Sequence, residues 1–126
     1  FKGADKTALC TDAMRGAGMP DGESILGSLT NGQKVIIEDG VAKLPDRSAF
    51  AGSVATADRL VRTMINIAGI PLIDAIRMIT LTPARILHVD AQKGSLEEGK
   101  DADIVIFDNQ INITTTISEG HVIYNQ

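Results

Sequence analysis

Hydrophobic residues between positions 57 and 79 recur at the spacing of an α-helix, which predicts two amphipathic helices. Gly69 falls where a glycine commonly terminates the first helix, and Pro71 suits the first turn of the second. The pair Thr82-Pro83 repeats the signal of a capping residue followed by proline and predicts a third, short helix. The apolar positions of the first two helices are Ala57, Leu60, Val61, Met64, Ile65 and Ala68, then Leu72, Ala75, Ile76 and Ile79.

Two other parts of the chain show the short apolar runs and the alternation that are typical of β-strands. The run 35–37 is followed by Asp39-Gly40, which predicts a hairpin with a tight turn. Near the C-terminal end, the segments 104–107, 111–117 and 122–124 predict a small β-sheet, antiparallel at least across the turn before residue 122.

A run of small and apolar residues near the start, 7–11, stops abruptly at Asp12 and is followed by a glycine-rich loop. This short and partly β-branched run predicts a strand that is buried on both faces of a parallel sheet. An acid directly after such a strand lies at its carboxyl end, where α/β barrels and open α/β sheets carry their chemistry. Asp12 is therefore a candidate catalytic residue, with the capping of a turn or helix start as the alternative.

Composition narrows the classes of protein and partner. The chain has 126 residues, the size of one domain, and its net charge of −4 argues against a nucleic-acid partner, because no basic stripe is available to bind phosphates. No apolar run is long enough to span a bilayer, and we expect no membrane partner. The single cysteine, Cys10, excludes an internal disulfide and fits a reducing compartment, which predicts a cytoplasmic location.

The chain offers few metal ligands. Its histidines are His88 and His121, which the predicted elements assign to a helix end and a hairpin turn. Catalytic zinc normally needs three converging protein ligands, so we expect no self-contained metal site here. An aspartate beside a metal-activated water can take up a proton and later return it to a leaving amine, but it cannot activate the water unaided.

The segment Phe50, Ala51 and Gly52 is a second candidate site. A backbone without Cβ at Gly52 allows close approach to a ligand, and amides at the start of the following helix favour polar or anionic groups. The alternative is a plain junction between a loop and a helix. Glycine-rich phosphate loops and the G-x-S-x-G nucleophile motif are absent from the sequence.

Several motifs, taken in order, resemble the C-terminal part of the N-acetylglucosamine-6-phosphate deacetylases, and the later ones look like the wider amidohydrolase superfamily. The similarity extends over essentially the whole chain. The motifs are Thr11-Asp12-Ala13-Met14, Ala17-Gly18-Met19-Pro20-Asp21-Gly22, Asp39-Gly40-Val41-Ala42-Lys43-Leu44, Phe50-Ala51-Gly52-Ser53, Thr82-Pro83-Ala84-Arg85-Ile86-Leu87, Lys93-Gly94-Ser95-Leu96 and Gly99-Lys100-Asp101-Ala102-Asp103.

The resemblance implies an α/β fold: the C-terminal portion of a (β/α)8 barrel of a metal-dependent hydrolase, with part of a small β-sandwich domain. Residues 1–90 would supply the last barrel strand, a β-hairpin excursion and the closing helices, and residues 91–126 would supply C-terminal strands of the sandwich. The implied reaction is hydrolysis of N-acetylglucosamine 6-phosphate to glucosamine 6-phosphate and acetate. Asp12 would act as general base and then general acid, and Phe50, Ala51 and Gly52 would bind the sugar.

The family's metal-binding glutamate and two histidines belong to earlier strands that have no counterpart here. For the intact enzyme, the resemblance implies a divalent metal, zinc or iron, and a homodimer. Because these ligands are missing, we expect no metal to be bound by this chain. We expect a C-terminal fragment that is inactive alone. Two alternatives remain: an amidohydrolase acting on another amide or amino sugar, such as N-acetylgalactosamine 6-phosphate, and a non-catalytic α/β module that associates with itself.

Overall fold

The computed structural model describes residues 2–126, and Phe1 lies outside the described residues. These residues form two three-stranded sheets, three α-helices and a short 3-10 helix at Ala4–Lys6. The elements are β1 (Gly22–Leu26), β2 (Gln33–Glu38), β3 (Val41–Lys43), α1 (Ala57–Asn66), α2 (Leu72–Ile79), α3 (Leu81–Ile86), β4 (Ile104–Phe107), β5 (Ile113–Ser118) and β6 (His121–Asn125). None of the helices in this range is both long and apolar enough to cross a membrane.

The chain divides into two compact units. The hairpin unit is Cys10–Ala57, and the helical unit comprises Asp58–Gln126 together with the described residues up to Leu9. This grouping concerns the present chain. The predicted boundary at residue 90 refers to an intact barrel and sandwich, and it stays a prediction.

The hairpin unit is built on the antiparallel sheet β1-β2-β3. The predicted turn at Asp39-Gly40 is confirmed: both residues have positive φ, 54° and 70°, as a type I′ hairpin turn requires. Strand β1 was not predicted, because Gly22–Leu26 mixes polar and apolar residues. Its first two positions are exposed in the structure. The apolar faces of the sheet and the following loop pack into one core made of Met14, Val35, Ile37, Ala42, Ala51 and Val54.

The three predicted helices form the first part of the helical unit, and a second core gathers around Val61 and Ala75. Thr82 does not cap α3 as predicted. The helix starts at Leu81, and the buried Thr82 hydroxyl donates a hydrogen bond to the carbonyl oxygen of Ala4 at 2.7 Å. A tertiary contact therefore takes the side chain that the local pattern assigned to capping.

The C-terminal sheet has the order β4-β5-β6 and is antiparallel throughout. Strand β5 begins at Ile113 rather than at residue 111. Ile111 has a φ of +61° and its buried side chain packs in the helical core, while its carbonyl oxygen accepts a hydrogen bond from Arg62 at 2.8 Å. The alternating pattern that predicted a strand over 111–117 thus includes Ile111, which belongs to the helical core and not to the strand.

The predicted parallel strand at 7–11 is not formed in this structure. Residues 7–12 have no strand assignment, and none of the residues from Thr7 to Thr11 is buried. A strand buried on both faces needs neighbours on both edges, and residues 2–126 provide no parallel ladder beyond one isolated bridge. Residues 2–126 therefore contain two small antiparallel sheets and do not form a barrel.

Candidate functional site

Asp12 lies near the start of the hairpin unit. It is followed by Ala13 and then by the core residue Met14. It is exposed, and its backbone is left-handed with a φ of 46°. Aspartate tolerates this conformation better than most residues. Among the described residues, its carboxylate has no hydrogen-bond or ion-pair partner. Asp12 is thus not a capping residue in this structure, and its oxygens are available to a ligand.

One parallel bridge brings the two predicted site segments together. Ala13 pairs with Ser53, and the Met14 amide donates to the carbonyl oxygen of Ser53 at 2.8 Å. Paired strands lie about 4.8 Å apart. Because the pairing is parallel, Asp12 and Gly52 each directly precede a bridged residue, on the same side of the bridge.

The segment Phe50–Gly52 alternates between exposed and buried positions. Phe50 is 76% exposed, whereas Ala51 is buried and its amide donates to the carbonyl oxygen of Ala42 at 2.9 Å. Gly52 has a φ of +80°, and a Cβ there would lie 3.2 Å from the Cδ1 atom of Leu26. The backbone at Gly52 therefore requires glycine for its conformation and has little room for a side chain.

The predicted role for helix-start amides is not supported by the local geometry. Helix α1 begins at Ala57, five residues after Gly52, and the intervening Ser53 hydroxyl accepts a hydrogen bond from the Ala55 amide at 3.1 Å. A turn therefore separates Gly52 from the helix.

A charged network lies beside the site segment and was not identified from the sequence. The Glu38 carboxylate accepts hydrogen bonds from Arg47 at 2.8 and 3.0 Å and from Lys43 at 3.1 Å. These bonds, with Arg47 contributing most, lower the pKa of Glu38 to about 2. In the sequence, a lysine and an arginine follow this acid by five and nine positions. That spacing indicates a charged network only once the register of the hairpin is known.

Neither histidine belongs to the unit that contains the candidate site, and the cysteine is exposed. His88 and His121 are both exposed and belong to the helical unit, at the end of α3 and the start of β6. His88 has a φ of 58° and lies two residues after the end of α3, which agrees with the predicted placement at a helix end. Cys10 is exposed rather than placed along a buried strand, because that strand is not formed.

Among residues 2–126, no three His, Cys, Asp or Glu side chains are grouped closely enough to hold a metal ion. Asp12 is the acid of the candidate site, and a single carboxylate does not make a hydrolytic metal centre. The described residues therefore do not fit a bound catalytic metal by themselves.

Comparison with known proteins gives a consistent set of relatives. The sequence pattern of the amidohydrolase family matches residues 6–123. The N-acetylglucosamine-6-phosphate deacetylase of Lysinibacillus sphaericus is 41% identical over 122 residues, which cover 97% of this chain and 30% of that protein. The N-acetylgalactosamine-6-phosphate deacetylase of Escherichia coli O157:H7 is 36% identical over 118 residues, covering 94% of this chain and 30% of that one.

Solved structures agree with the sequence matches. The crystal structure of N-acetylglucosamine-6-phosphate deacetylase from Pasteurella multocida superposes with a TM-score of 0.85 at 30% identity, covering 96% of this chain and 31% of that one. The two sheets and three helices described above are thus similar to one part of a larger enzyme. The chain spans less than a third of the length of each of these three relatives.

Proposed function

Because the chain belongs to the amidohydrolase family, we propose that it is the C-terminal part of a deacetylase that hydrolyses N-acetylglucosamine 6-phosphate to glucosamine 6-phosphate and acetate. The relatives that carry this activity in their names support the proposal. So does the bridge between Ala13 and Ser53, which pairs the segment that carries Asp12 with the segment that follows Gly52. The proposal depends most on this pairing, since it joins the segment of an unpaired acid to one whose Phe50 and Gly52 are exposed and can contact a sugar.

In the proposed reaction, Asp12 transfers the proton. A water molecule attacks the acetamide carbonyl carbon, and the Asp12 carboxylate takes the proton that the water loses. The carbon–nitrogen bond then breaks, and Asp12 returns the proton to the departing amine, leaving acetate and the free amino sugar. The exposure of Asp12 and the lack of a competing partner among the described residues support this role.

We assign sugar binding to Phe50, Ala51 and Gly52. The exposed ring of Phe50 can pack against the apolar face of a sugar, and the left-handed turn at Gly52 leaves backbone atoms accessible. Because Ala51 is buried and bonded to Ala42, it contributes through its backbone and through holding the segment in place.

The family's divalent metal enters this proposal only through the remainder of the enzyme. The described residues do not bring three ligands together, so we propose that the ligands and the remaining barrel strands belong to parts of the full-length protein outside this chain. The barrel and sandwich architecture, and a homodimeric assembly, are likewise proposed for the full-length protein.

The decisive experiment substitutes Asp12→Asn in the full-length protein and measures acetate release. Since general acid–base groups contribute about 10²- to 10⁴-fold, we expect kcat to fall within that range while the bound metal per protein stays unchanged. Asp21→Asn is the matched control, because Asp21 is an exposed acid of the same unit with no partner among the described residues. A kcat for Asp12→Asn equal to that of Asp21→Asn would exclude the proposed role.

A second candidate substrate is N-acetylgalactosamine 6-phosphate, which appears in the name of the E. coli relative. The two sugars differ in the orientation of one hydroxyl group, and sites that bond a hydroxyl discriminate strongly against analogues that misplace it. Measuring kcat/KM for both sugars with the full-length protein separates the two functions. The proposal requires the larger value for N-acetylglucosamine 6-phosphate.

A further inference from the structure

We propose that Glu38, Lys43 and Arg47 are positioning residues that hold the sugar-binding segment Phe50–Gly52 at the correct distance from Asp12. This inference rests on the proposed function, and it assigns a role to a charged network that neither contacts Asp12 nor supplies a proton.

The site segment is the return arm of a hairpin. Lys43, the last residue of β3, pairs antiparallel with Phe50, and on either side of this pair the Ala51 amide donates to Ala42 and the Leu44 amide donates to Ala49, both at 2.9 Å. Residues 44–49 form the connecting loop. The position of Phe50 therefore depends on how this loop is closed.

Arg47 closes the loop from its tip. Its amide donates to the carbonyl oxygen of Leu44 at 2.8 Å, and its backbone is left-handed with a φ of 59°. Its guanidinium group makes a two-pronged contact with Glu38, through Nε at 2.8 Å and Nη2 at 3.0 Å. Such paired bonds fix direction as well as distance. Arg47 thus ties the loop tip to the end of β2.

The same carboxylate also holds the base of the loop. Lys43 Nζ lies 3.1 Å from Glu38 Oε1, and Lys43 is the residue that pairs with Phe50. Glu38 therefore binds both Lys43, the residue that pairs with Phe50, and Arg47, at the tip of the loop that leads to Phe50. Because the Glu38 and Lys43 side chains are only 27% and 22% exposed, solvent screens their contact less than a fully exposed pair.

Beyond Gly52, the segment continues directly to Ser53, whose pairing with Ala13 adjoins Asp12. The sugar-binding segment is thus anchored at one end by the bridge to the catalytic acid and at the other by the Glu38 network. Loosening the second anchor would let Phe50 move while leaving Asp12 in place. This predicts an effect on substrate binding that is separable from the effect on chemistry.

The test uses steady-state kinetics of the full-length protein with N-acetylglucosamine 6-phosphate. Glu38→Gln and Arg47→Gln should each raise KM about three- to fivefold, the range expected for partly exposed ion pairs, with kcat changed less than about twofold. The double variant should match Glu38→Gln, since that single substitution already removes the contact with Arg47. Arg47→Lys, which keeps the charge and can make one of the two bonds, should recover part of the loss.

Lys34→Gln is the control for Arg47→Gln, because it also removes one positive charge, from an exposed lysine of β2 that has no partner among the described residues. Its KM should equal that of the unmutated protein, which excludes a general loss of attraction for the phosphate. Should either Gln variant prove unstable, Arg47→Lys still decides, because it keeps the charge and a KM above that of the unmutated protein then reports the lost second bond. KM values equal to the Lys34→Gln control, or a fall in kcat at constant KM, would overturn the positioning role. No turnover by the unmutated protein would instead overturn the proposed function, and this inference with it.

Discussion

Asp12 and Gly52, which precede the bridged pair Ala13 and Ser53, both have left-handed backbones, with φ of 46° and 80°. Aspartate and glycine are among the residues that adopt this conformation at modest cost. The turn geometry therefore favours these two residues, as does the proposed chemistry. For Gly52 the two requirements can be separated by a substitution.

Gly52→Ala should weaken the local structure of the hairpin unit. A side chain at this φ costs about 1–2 kcal/mol, and the new Cβ would also crowd Leu26 at 3.2 Å. We expect the free energy for opening the Ala51 amide, measured by hydrogen exchange, to fall by about that amount. Gly120→Ala is the control, because Gly120 has the same φ of +80° with open space around it and lies in the helical unit. Unchanged exchange at Ala51 in Gly52→Ala would contradict the structure.

At the scale of elements, the hairpin of β2 and β3 carries the charged network that closes the loop 44–49. Hydrogen bonds from Arg47, and secondarily from Lys43, lower the pKa of Glu38 from 4.5 to about 2. A pKa that is lower in the folded chain means that folding favours the ionised carboxylate. The stabilisation is therefore present above pH 4.5 and is lost as the pH falls through about 2.

The titration of Glu38 tests this network directly. Its carboxyl carbon, followed by NMR in the full chain, should titrate near pH 2. In Arg47→Gln the midpoint should move back toward 4.5, and in Lys43→Gln it should move less, because Arg47 provides the larger contribution. A midpoint near 4.5 in the unmutated chain would show that these hydrogen bonds do not persist in solution.

At the scale of the whole molecule, the candidate site lies within the hairpin unit, while both histidines belong to the helical unit. The exposed side chains of the helices and the C-terminal sheet include several large hydrophobic residues, such as Ile73, Ile86 and Ile123. An exposed apolar surface of this kind is typical of segments that pack against further protein. This agrees with the proposal that the chain is one part of a larger enzyme.

The 126-residue chain alone should therefore release no acetate from N-acetylglucosamine 6-phosphate, even with added Zn²⁺ or Fe²⁺. A single unpaired acid can move a proton but cannot activate water, and no ligand cluster is present in residues 2–126. Acetate release and metal content, measured beside the full-length protein, provide the check. Stoichiometric metal with turnover by the chain alone would refute the proposal of an incomplete active site.

Local pattern was sufficient for much of the fold. The three helices and the Asp39-Gly40 hairpin were predicted because apolar periodicity and turn residues act over a few positions, within one element. The run 104–107 became β4 for the same reason. The candidate residues Asp12 and Phe50–Gly52 were also identified from the sequence, partly through resemblance to known enzymes.

Tertiary structure decided those features of the fold and of the candidate site that depend on contacts between residues distant in the chain. Residues 7–11 have a strand-like composition but form no strand here, because a strand needs neighbours and composition does not supply them. Thr82 bonds to Ala4 and Ile111 enters the helical core, against their local patterns. The pairing of Ala13 with Ser53, and the bridge from Glu38 to Arg47, join residues that are separated along the chain. Periodicity describes one element at a time, whereas these contacts arise only when separate elements pack together.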